Sequence, residues 1–237
     1  MNSKSNSVIL LSGGLDSAAN LLFCTLTDSP ALALTADYGQ RAANPEMTAA
    51  KALCHHYGVP HAEVNLRWLG MLGKSALTDP SLSLPELGRD RLDDLAAARE
   101  TARAVWIPNR NGVLIQVAAA YAEALGARRV VVGFNREEAA TFPDNSTSFI
   151  EACNAALAYS TGLDSGPDLS VQVYCYTDQL NKIEILRRAL KADPGFPLDL
   201  IWSCYRGGPH RCGRCESCER FGRALEGAKA RKIDEQQ

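Results

Sequence analysis

The sequence predicts an α/β fold of the Rossmann-like type, with a parallel sheet covered by helices on both faces. Short apolar runs containing β-branched residues alternate with segments of helical periodicity through the first two-thirds of the chain. The glycine pair Gly13-Gly14 directly follows the first of these runs, as in a strand-to-helix turn. Strands that alternate with helices usually pair in parallel, because each helix returns the chain to the same end of the sheet.

Each predicted element follows from a local pattern of residues. Apolar or alternating runs predict strands at Val8–Leu11, Ala31–Thr35, His61–Leu66 and Arg129–Phe134. Helical periodicity predicts helices at Asp16–Leu26, Pro45–Tyr57 and Asn111–Leu125, with a last helix near Arg220–Lys229. Gly58 and Gly126 follow two of these helices, in the position where a glycine commonly ends a helix.

Two segments break the alternation of strands and helices. Residues 79–105 contain Pro80, Pro85 and mixed charges, which is typical either of a lid over a site or of a solvated insertion. The second half of this insertion can form a helix. Residues 201–237 lose the periodic pattern, because Gly, Arg and Cys replace apolar residues. We therefore expect a main α/β domain over residues 1–200 and a small C-terminal segment over residues 201–237.

Composition and charge exclude several classes of protein. The 237 residues carry a net charge of −2, whereas a dedicated nucleic-acid-binding protein usually has a strong basic excess. No direct contact with nucleic acid is therefore expected. The N-terminus is polar, and no apolar run approaches the roughly 20 residues that span a bilayer. We expect a cytoplasmic protein without membrane contact, assembled as a homodimer.

The segment between the first strand and the first helix has the features of a phosphate-binding loop. Gly13 and Gly14 let the backbone approach an anion, and the helix N-terminus supplies free N–H groups. Ser12 and Ser17 add hydroxyl donors, while Asp16 can cap the helix or hold a magnesium ion. The alternative is an ordinary turn with Ser and Asp caps. The chain contains neither G-x-x-x-x-G-K-[ST] nor G-x-G-x-x-G.

Four of the eight cysteines lie close together near the C-terminus, at Cys204, Cys212, Cys215 and Cys218. The C-x-x-C spacing lets neighbouring thiolates reach one ion, and zinc in structural sites prefers four such ligands. We expect one structural Zn²⁺ per chain, since four sulfur ligands leave no coordination position open. An iron–sulfur cluster is the alternative for the same ligands.

The phosphate-binding loop resembles the S-G-G-x-D-S loop of ATP pyrophosphatases, and the loop and cysteines together resemble the 7-cyano-7-deazaguanine synthase family. This resemblance covers about residues 8–221. Further motifs that carry it are Asp37-Tyr38-Gly39-Gln40-Arg41, Ala76-Leu77-Thr78-Asp79, Pro108-Asn109-Arg110-Asn111, Gly133-Phe134-Asn135, Pro143-Asp144 and Lys182-Ile183-Glu184-Ile185. The resemblance implies an adenine nucleotide alpha hydrolase-like fold with a small C-terminal zinc-binding appendage.

The resemblance also implies an activity, substrates and residue roles. The implied enzyme is an ATP-dependent carbon–nitrogen ligase of queuosine biosynthesis. It adenylates the carboxylate of 7-carboxy-7-deazaguanine and converts this substrate and ammonia to 7-cyano-7-deazaguanine, with Mg²⁺ bound to ATP. The implied catalytic residues are Ser12, Asp16, Ser17, Arg110 and Lys182. The implied ATP-binding residues are Leu11, Ser12, Gly13, Gly14, Leu15, Asp16, Ser17, Asp37 and Gly133. The implied substrate-binding residues are Gln40, Arg41, Asn135 and Asp144.

The chain departs from the family pattern at four positions. Ala42 replaces a histidine, Asn109 replaces a glycine, and Asn145 and Ser146 replace a cysteine and an arginine. An arginine binds a carboxylate through two parallel hydrogen bonds, which neither Asn nor Ser reproduces. Two alternatives therefore stay open: a paralogue that joins a deazaguanine-type carboxylate to another amine and stops at the amide, and a tRNA sulfurtransferase.

Overall fold

The computed structural model of the chain describes residues 6–162 and 170–234. Over these residues five strands form one parallel sheet in the order β3-β2-β1-β4-β5. The strands are β1 (Ser7–Leu10), β2 (Pro30–Asp37), β3 (His61–Asn65), β4 (Arg129–Val131) and β5 (Gln172–Tyr174). This topology confirms the predicted fold class. β5 was not predicted: its three residues include only one buried side chain, whereas β4 lies in the longer apolar run Arg129–Phe134.

Helices cover both faces of the sheet. They are α1 (Leu15–Thr27), α2 (Ala43–Tyr57), α3 (Arg67–Gly70), α4 (Leu95–Val105), α5 (Arg110–Ala124), α6 (Arg136–Ala139), α7 (Thr147–Ser160), α8 (Lys182–Ala192) and α9 (Glu216–Asp234). α1, α2, α5 and α9 confirm the predicted helices. None of the described helices is long and apolar enough to cross a membrane.

The central strand β1 separates two apolar cores, because successive side chains of a strand point to opposite faces. Ile9 packs in the core formed with α1, α8 and α9, and Val8 packs in the core formed with α5 and α7. Both side chains are fully buried. The strand order reverses beside β1, since the chain first builds β2 and β3 on one side and then adds β4 and β5 on the other.

The C-terminal helix α9 shares the core of the sheet. Phe221, Ala224 and Ala228 are buried and belong to the same apolar cluster as Ile9. The expected boundary near residue 200 stays a prediction, but the helix that follows this boundary is packed as part of the main domain.

The insertion after α3 is anchored by apolar side chains. Leu77, Leu84 and Val105 are buried with Leu69 and Ile107 in a separate cluster. The predicted helix in the second half of the insertion is confirmed as α4, which Asp94 caps by accepting hydrogen bonds from the first turn. The insertion is therefore packed against the molecule rather than extended into solvent.

Truncation of Phe221 tests whether α9 belongs to the folding core. Phe221 is 5% exposed, so Phe221→Ala should lower the free energy of unfolding by about 3–5 kcal/mol. The matched control is Tyr159→Ala, because Tyr159 is 95% exposed and its loss should change stability by less than about 0.5 kcal/mol. Urea denaturation measures both values. Equal effects would show that α9 is not part of the core.

Candidate active site

A cavity of about 270 Å³ lies at the carboxyl ends of β1, β2 and β4. Open α/β sheets bind ligands at this edge, next to the strand where the order reverses. Its walls are formed by the loop after β1, the β2–α2 connection, the start of α5, the segment after β4, and residues from the C-terminal part of the chain.

The loop between β1 and α1 is shaped for an anion. Gly14 is the residue before α1, and it has no side chain that could accept a hydrogen bond from the first N–H groups of the helix. These groups can therefore donate to a bound anion. The hydroxyls of Ser12 and Ser17 are hydrogen-bonded at 3.1 Å, and the N–H of Gly14 donates to the Ser12 hydroxyl. Gly13 has a φ of +77°, and a Cβ there would lie 2.8 Å from the Cβ of Ala49. Leu11 and Leu15 are buried beside the loop.

Gly133, directly after β4, lets the backbone approach the start of α1. A Cβ on Gly133 would stand 2.8 Å from both the N and the Cα of Ser17. Cβ atoms do not come this close to a backbone, so a side chain here would displace the helix N-terminus. Gly133 also lines the cavity, and its contact with ATP stays a prediction.

Asp16 and Lys182 form a buried ion pair beside the loop. Lys182 Nζ contacts Asp16 Oδ2 and lies 2.9 Å from Glu138 Oε1. Asn135 Nδ2 donates to Asp16 Oδ2 at 3.0 Å, while its own Oδ1 caps α6 by accepting from the N–H of Glu138. Asp16 Oδ1 is buried and has no hydrogen-bond partner among the described residues. Asp16 is one of the residues that line the cavity.

The charges of this cluster follow from burial and from close opposite charges. Burial lowers the pKa of Lys182, but the carboxylates of Asp16 and Glu138 outweigh it and raise that pKa well above its usual value. Burial raises the pKa of Glu138, but Lys182 outweighs it and the net shift is downward. For Asp16, burial dominates and raises the pKa. Lys182 therefore carries a fixed positive charge and is not a proton acceptor at neutral pH.

Arg110 and Tyr38 form the opposite side of the cavity. The Arg110 guanidinium lies over the Tyr38 ring, 5.5 Å from its centroid, and donates to the phenol oxygen at 3.4 Å. Burial raises the pKa of Tyr38 to about 12, so the phenol is protonated at neutral pH. Leu77, Val105 and Phe142 add an apolar wall. This side of the cavity therefore has one positive charge, from Arg110, next to aromatic and aliphatic side chains.

The departures from the family pattern have distinct structural settings. Asn109 has a φ of +50°, which is the left-handed conformation that glycine adopts easily and asparagine tolerates better than most residues. Asn145 is buried and lines the cavity, whereas the hydroxyl of Ser146 caps α7 by accepting from the N–H of Phe149. Ala42 is buried and lines the cavity.

Some predicted binding residues contact other parts of the chain. Arg41 donates to the backbone carbonyls of Asp79 and Leu82, so its guanidinium holds the insertion. Asp37 Oδ1 accepts from the N–H of Gly39, which fixes the turn after β2. The carbonyl of Asp144 accepts from the side chain of Asn111. None of Arg41, Asp37, Asn135 and Asp144 is among the described residues that line the cavity. Their predicted binding roles stay predictions.

The structure also brings residues to the cavity that sequence reasoning did not select. Glu46 lies in the first turn of α2, and Glu138 lies in α6. Arg220 of α9 is 8% exposed and pairs with Glu216 at 2.8 Å. An acid in the first turn of a helix is common, so no signal in the sequence distinguished Glu46 or Glu216 from ordinary helix residues.

The four clustered cysteines form a compact sulfur site. All four Sγ atoms lie within 4.8 Å of one another, and those of Cys212 and Cys218 are 3.9 Å apart. Sulfurs at about 2.3 Å from a tetrahedral zinc ion are about 3.8 Å apart, so the cluster fits a metal ion of this kind. Backbone N–H groups of Arg206 and Cys212 donate to the sulfur of Cys204. Such hydrogen bonds stabilise thiolate ligands.

This cysteine cluster borders the cavity. Trp202, Cys204 and Tyr205 line it, and the N–H of Trp202 donates to the carbonyl of Gly13 at 2.9 Å. The segment that carries the sulfur site therefore holds the phosphate-binding loop directly.

Comparison with known proteins yields one family. A family model described as "Queuosine biosynthesis protein QueC" matches residues 6–229. The chain is 54% identical over 221 residues to 7-cyano-7-deazaguanine synthase of Desulforudis audaxviator, which covers 93% of this chain and 96% of that protein. The protein of that name from Methanosarcina mazei is 40% identical over 222 residues, covering 92% and 93%. The matched region includes the loop, the insertion and the cysteine cluster.

Substitution of Gly133 tests the close contact between β4 and α1. Gly133→Ala should weaken ATP binding by about tenfold or more, because its Cβ displaces the N-terminus of α1. Gly208→Ala is the control, since the nearest atom to a Cβ there lies 3.9 Å away. Calorimetric titration with a non-hydrolysable ATP analogue measures both dissociation constants. Unchanged affinity in Gly133→Ala would contradict this account of the loop.

Substitution of Cys215 tests the sulfur site. Cys215→Ser should lose bound metal and stability together, because metal binding to such a site contributes directly to folding. Cys175→Ser is the control, since Cys175 lies outside the cluster. Metal analysis of the purified proteins gives the metal identity and stoichiometry, and thermal denaturation gives the stability. Full metal content in Cys215→Ser would exclude it as a ligand.

Proposed function

The chain belongs to the QueC family of queuosine biosynthesis proteins, and we propose how its residues make 7-cyano-7-deazaguanine. It is an ATP-dependent carbon–nitrogen ligase. We infer that its substrates are 7-carboxy-7-deazaguanine, ATP and ammonia. The observation that carries this proposal is the placement of the phosphate-binding loop, the Asp16–Lys182 pair and Arg110 around one cavity.

The loop residues Ser12 to Ser17 bind the phosphates of ATP in this proposal. The N–H groups at the start of α1 would bind the anion, and Lys182 adds a fixed positive charge. The Ser17 hydroxyl donates to the carbonyl of Gly14 and shares a hydrogen bond with the Ser12 hydroxyl, so the two serines hold the shape of the loop. The unpartnered oxygen of Asp16 is a ligand of the kind Mg²⁺ prefers, so Asp16 would hold a Mg²⁺ ion that enters with ATP. Such an ion would supply positive charge for the departing pyrophosphate.

Arg110 holds the substrate carboxylate near the α-phosphate. Its guanidinium is fixed by Tyr38 and faces a cavity whose other walls suit a planar heterocycle. The carboxylate oxygen attacks the α-phosphorus, and pyrophosphate leaves. Ammonia then displaces AMP from the acyl-adenylate and forms the amide. A second activation, at the amide oxygen, leads by loss of AMP to the nitrile.

Zinc is the metal we propose for the cysteine cluster. Four thiolates fill a tetrahedron, so the ion has a structural role and no open position for substrate. The ion affects the reaction indirectly, because it stabilises the segment that contains Trp202. The N–H of Trp202 donates to the carbonyl of Gly13 and so holds the loop in place. A homodimer and a cytoplasmic location stay predictions.

Product analysis tests the function. The purified protein, incubated with ATP, Mg²⁺, ammonium and 7-carboxy-7-deazaguanine, should yield the nitrile, with one AMP formed for the amide and a second for the nitrile. Mass spectrometry identifies the products and chromatography measures AMP. An amide that is never converted would favour the paralogue. Sulfur incorporation into tRNA, with no deazaguanine product, would favour the sulfurtransferase.

A further inference from the structure

Glu46 is an acidic residue of the cavity wall to which the proposed mechanism assigns no role. It lies in the first turn of α2 and forms no ion pair within the part of the chain that the structure describes. The other acids of the cavity wall are paired with cations: Asp16 and Glu138 with Lys182, and Glu216 with Arg220. Glu46 is therefore the carboxylate of this wall that stays available to a small cationic ligand.

Gln40 fixes the orientation of the Glu46 carboxyl group. The N–H of Tyr38 donates to Gln40 Oε1 at 2.9 Å, so the Gln40 amide nitrogen must point the other way. That nitrogen donates to the carbonyl of Ala36 at 3.1 Å and to Glu46 Oε2 at 2.8 Å. Because Oε2 is held as an acceptor, a proton taken up by Glu46 resides on its other oxygen. Gln40 is thus a positioning residue for Glu46.

Glu46 lies beside both reacting parts of the proposed site. Its backbone carbonyl is 3.0 Å from the place that a Cβ on Gly13 would occupy, so α2 abuts the phosphate-binding loop at this residue. Glu46 and Arg110 line the same cavity, and the charge of the Arg110 guanidinium acts on the pKa of Glu46. An acyl-adenylate held by the loop and Arg110 would lie in the cavity that Glu46 also lines.

The acidity of Glu46 suits proton transfer near neutral pH. Burial raises the pKa of Glu46 to about 7, although the hydrogen bond from Gln40 and the charge of Arg110 oppose the shift. Cys204 makes the smallest of these contributions, and Tyr38, a further titratable group that interacts with Glu46, is protonated at neutral pH. An acid whose pKa lies near the working pH can accept and release a proton in each cycle.

Building on the proposed function, we propose that Glu46 binds the ammonium ion and is the base that converts it to ammonia. The carboxylate takes one proton from ammonium, and the nitrogen lone pair then attacks the carbonyl carbon of the acyl-adenylate. A carbon–nitrogen bond forms and the carbon–oxygen bond to AMP breaks, with AMP leaving as an anion. The nitrogen loses its second proton to water, and Glu46 later passes its own proton to water.

The test compares two nucleophiles in Glu46→Gln. Glutamine keeps the shape of Glu46 and can still accept the hydrogen bond from Gln40, so the fold should be preserved. Amide formation from ammonium should fall by about 100-fold or more, the usual contribution of a positioned base. Hydroxylamine is already a free base at neutral pH, so hydroxamate formation should stay within about threefold of the wild-type rate. Glu100→Gln, an exposed change on α4, is the matched control.

The pH profile adds a readout that a structural role would not change. The base acts in its unprotonated form. With saturating ammonium, the rate of amide formation by the wild type should therefore increase as the pH is raised through about 7, and it should be low at more acidic pH. Glu46→Gln should lack this rise. Equal losses with both nucleophiles, or unchanged use of ammonium, would overturn the role of Glu46. Failure of the wild type in ATP–pyrophosphate exchange would instead overturn the proposed function, on which this role rests.

Discussion

Lys182 joins three helices beside the cavity, and the geometry of the active site depends on the ion pairs that it forms. It begins α8, while Asp16 and Glu138 belong to α1 and α6. Removing one member of such a buried cluster leaves an uncompensated charge, which typically costs about 3–5 kcal/mol. Because Asp16 is also in the first turn of α1, the same cluster fixes the N-terminus of this helix beside the loop.

The C-terminal segment extends this arrangement to the sulfur site. Trp202 is hydrogen-bonded to the phosphate-binding loop, and Arg220 of α9 joins Glu216 to Glu137 of α6. The buried faces of α9 lie in the core against β1. A metal ion in this segment would therefore stabilise the phosphate-binding loop as well as its own turn.

Two residues that the motifs assign to substrate binding make contacts within the protein. Asn135 does not line the cavity, yet it orients Asp16 by a hydrogen bond within a fully buried environment. Arg41 holds the carbonyls of the insertion, while the carbonyl of Arg41 lies so close to Gly207 that a Cβ there would clash. Asn135 and Arg41 therefore hold parts of the chain that form the site, whereas their predicted contacts with substrate stay predictions.

The sequence by itself determined the fold class, the phosphate-binding loop, the four cysteines and the family. These features depend on local pattern: the alternation of strands and helices, a Ser-Gly-Gly turn after an apolar run, and thiolates spaced to reach one ion. Only the tertiary structure decided which charges face one another. The pairing of Lys182 with Asp16 spans 166 positions of sequence, and the packing of α2 beside the loop brings Glu46, which forms no ion pair among the described residues, to the same cavity. Charge environment depends on neighbours from distant parts of the chain, and such proximity leaves no periodic signal in the sequence.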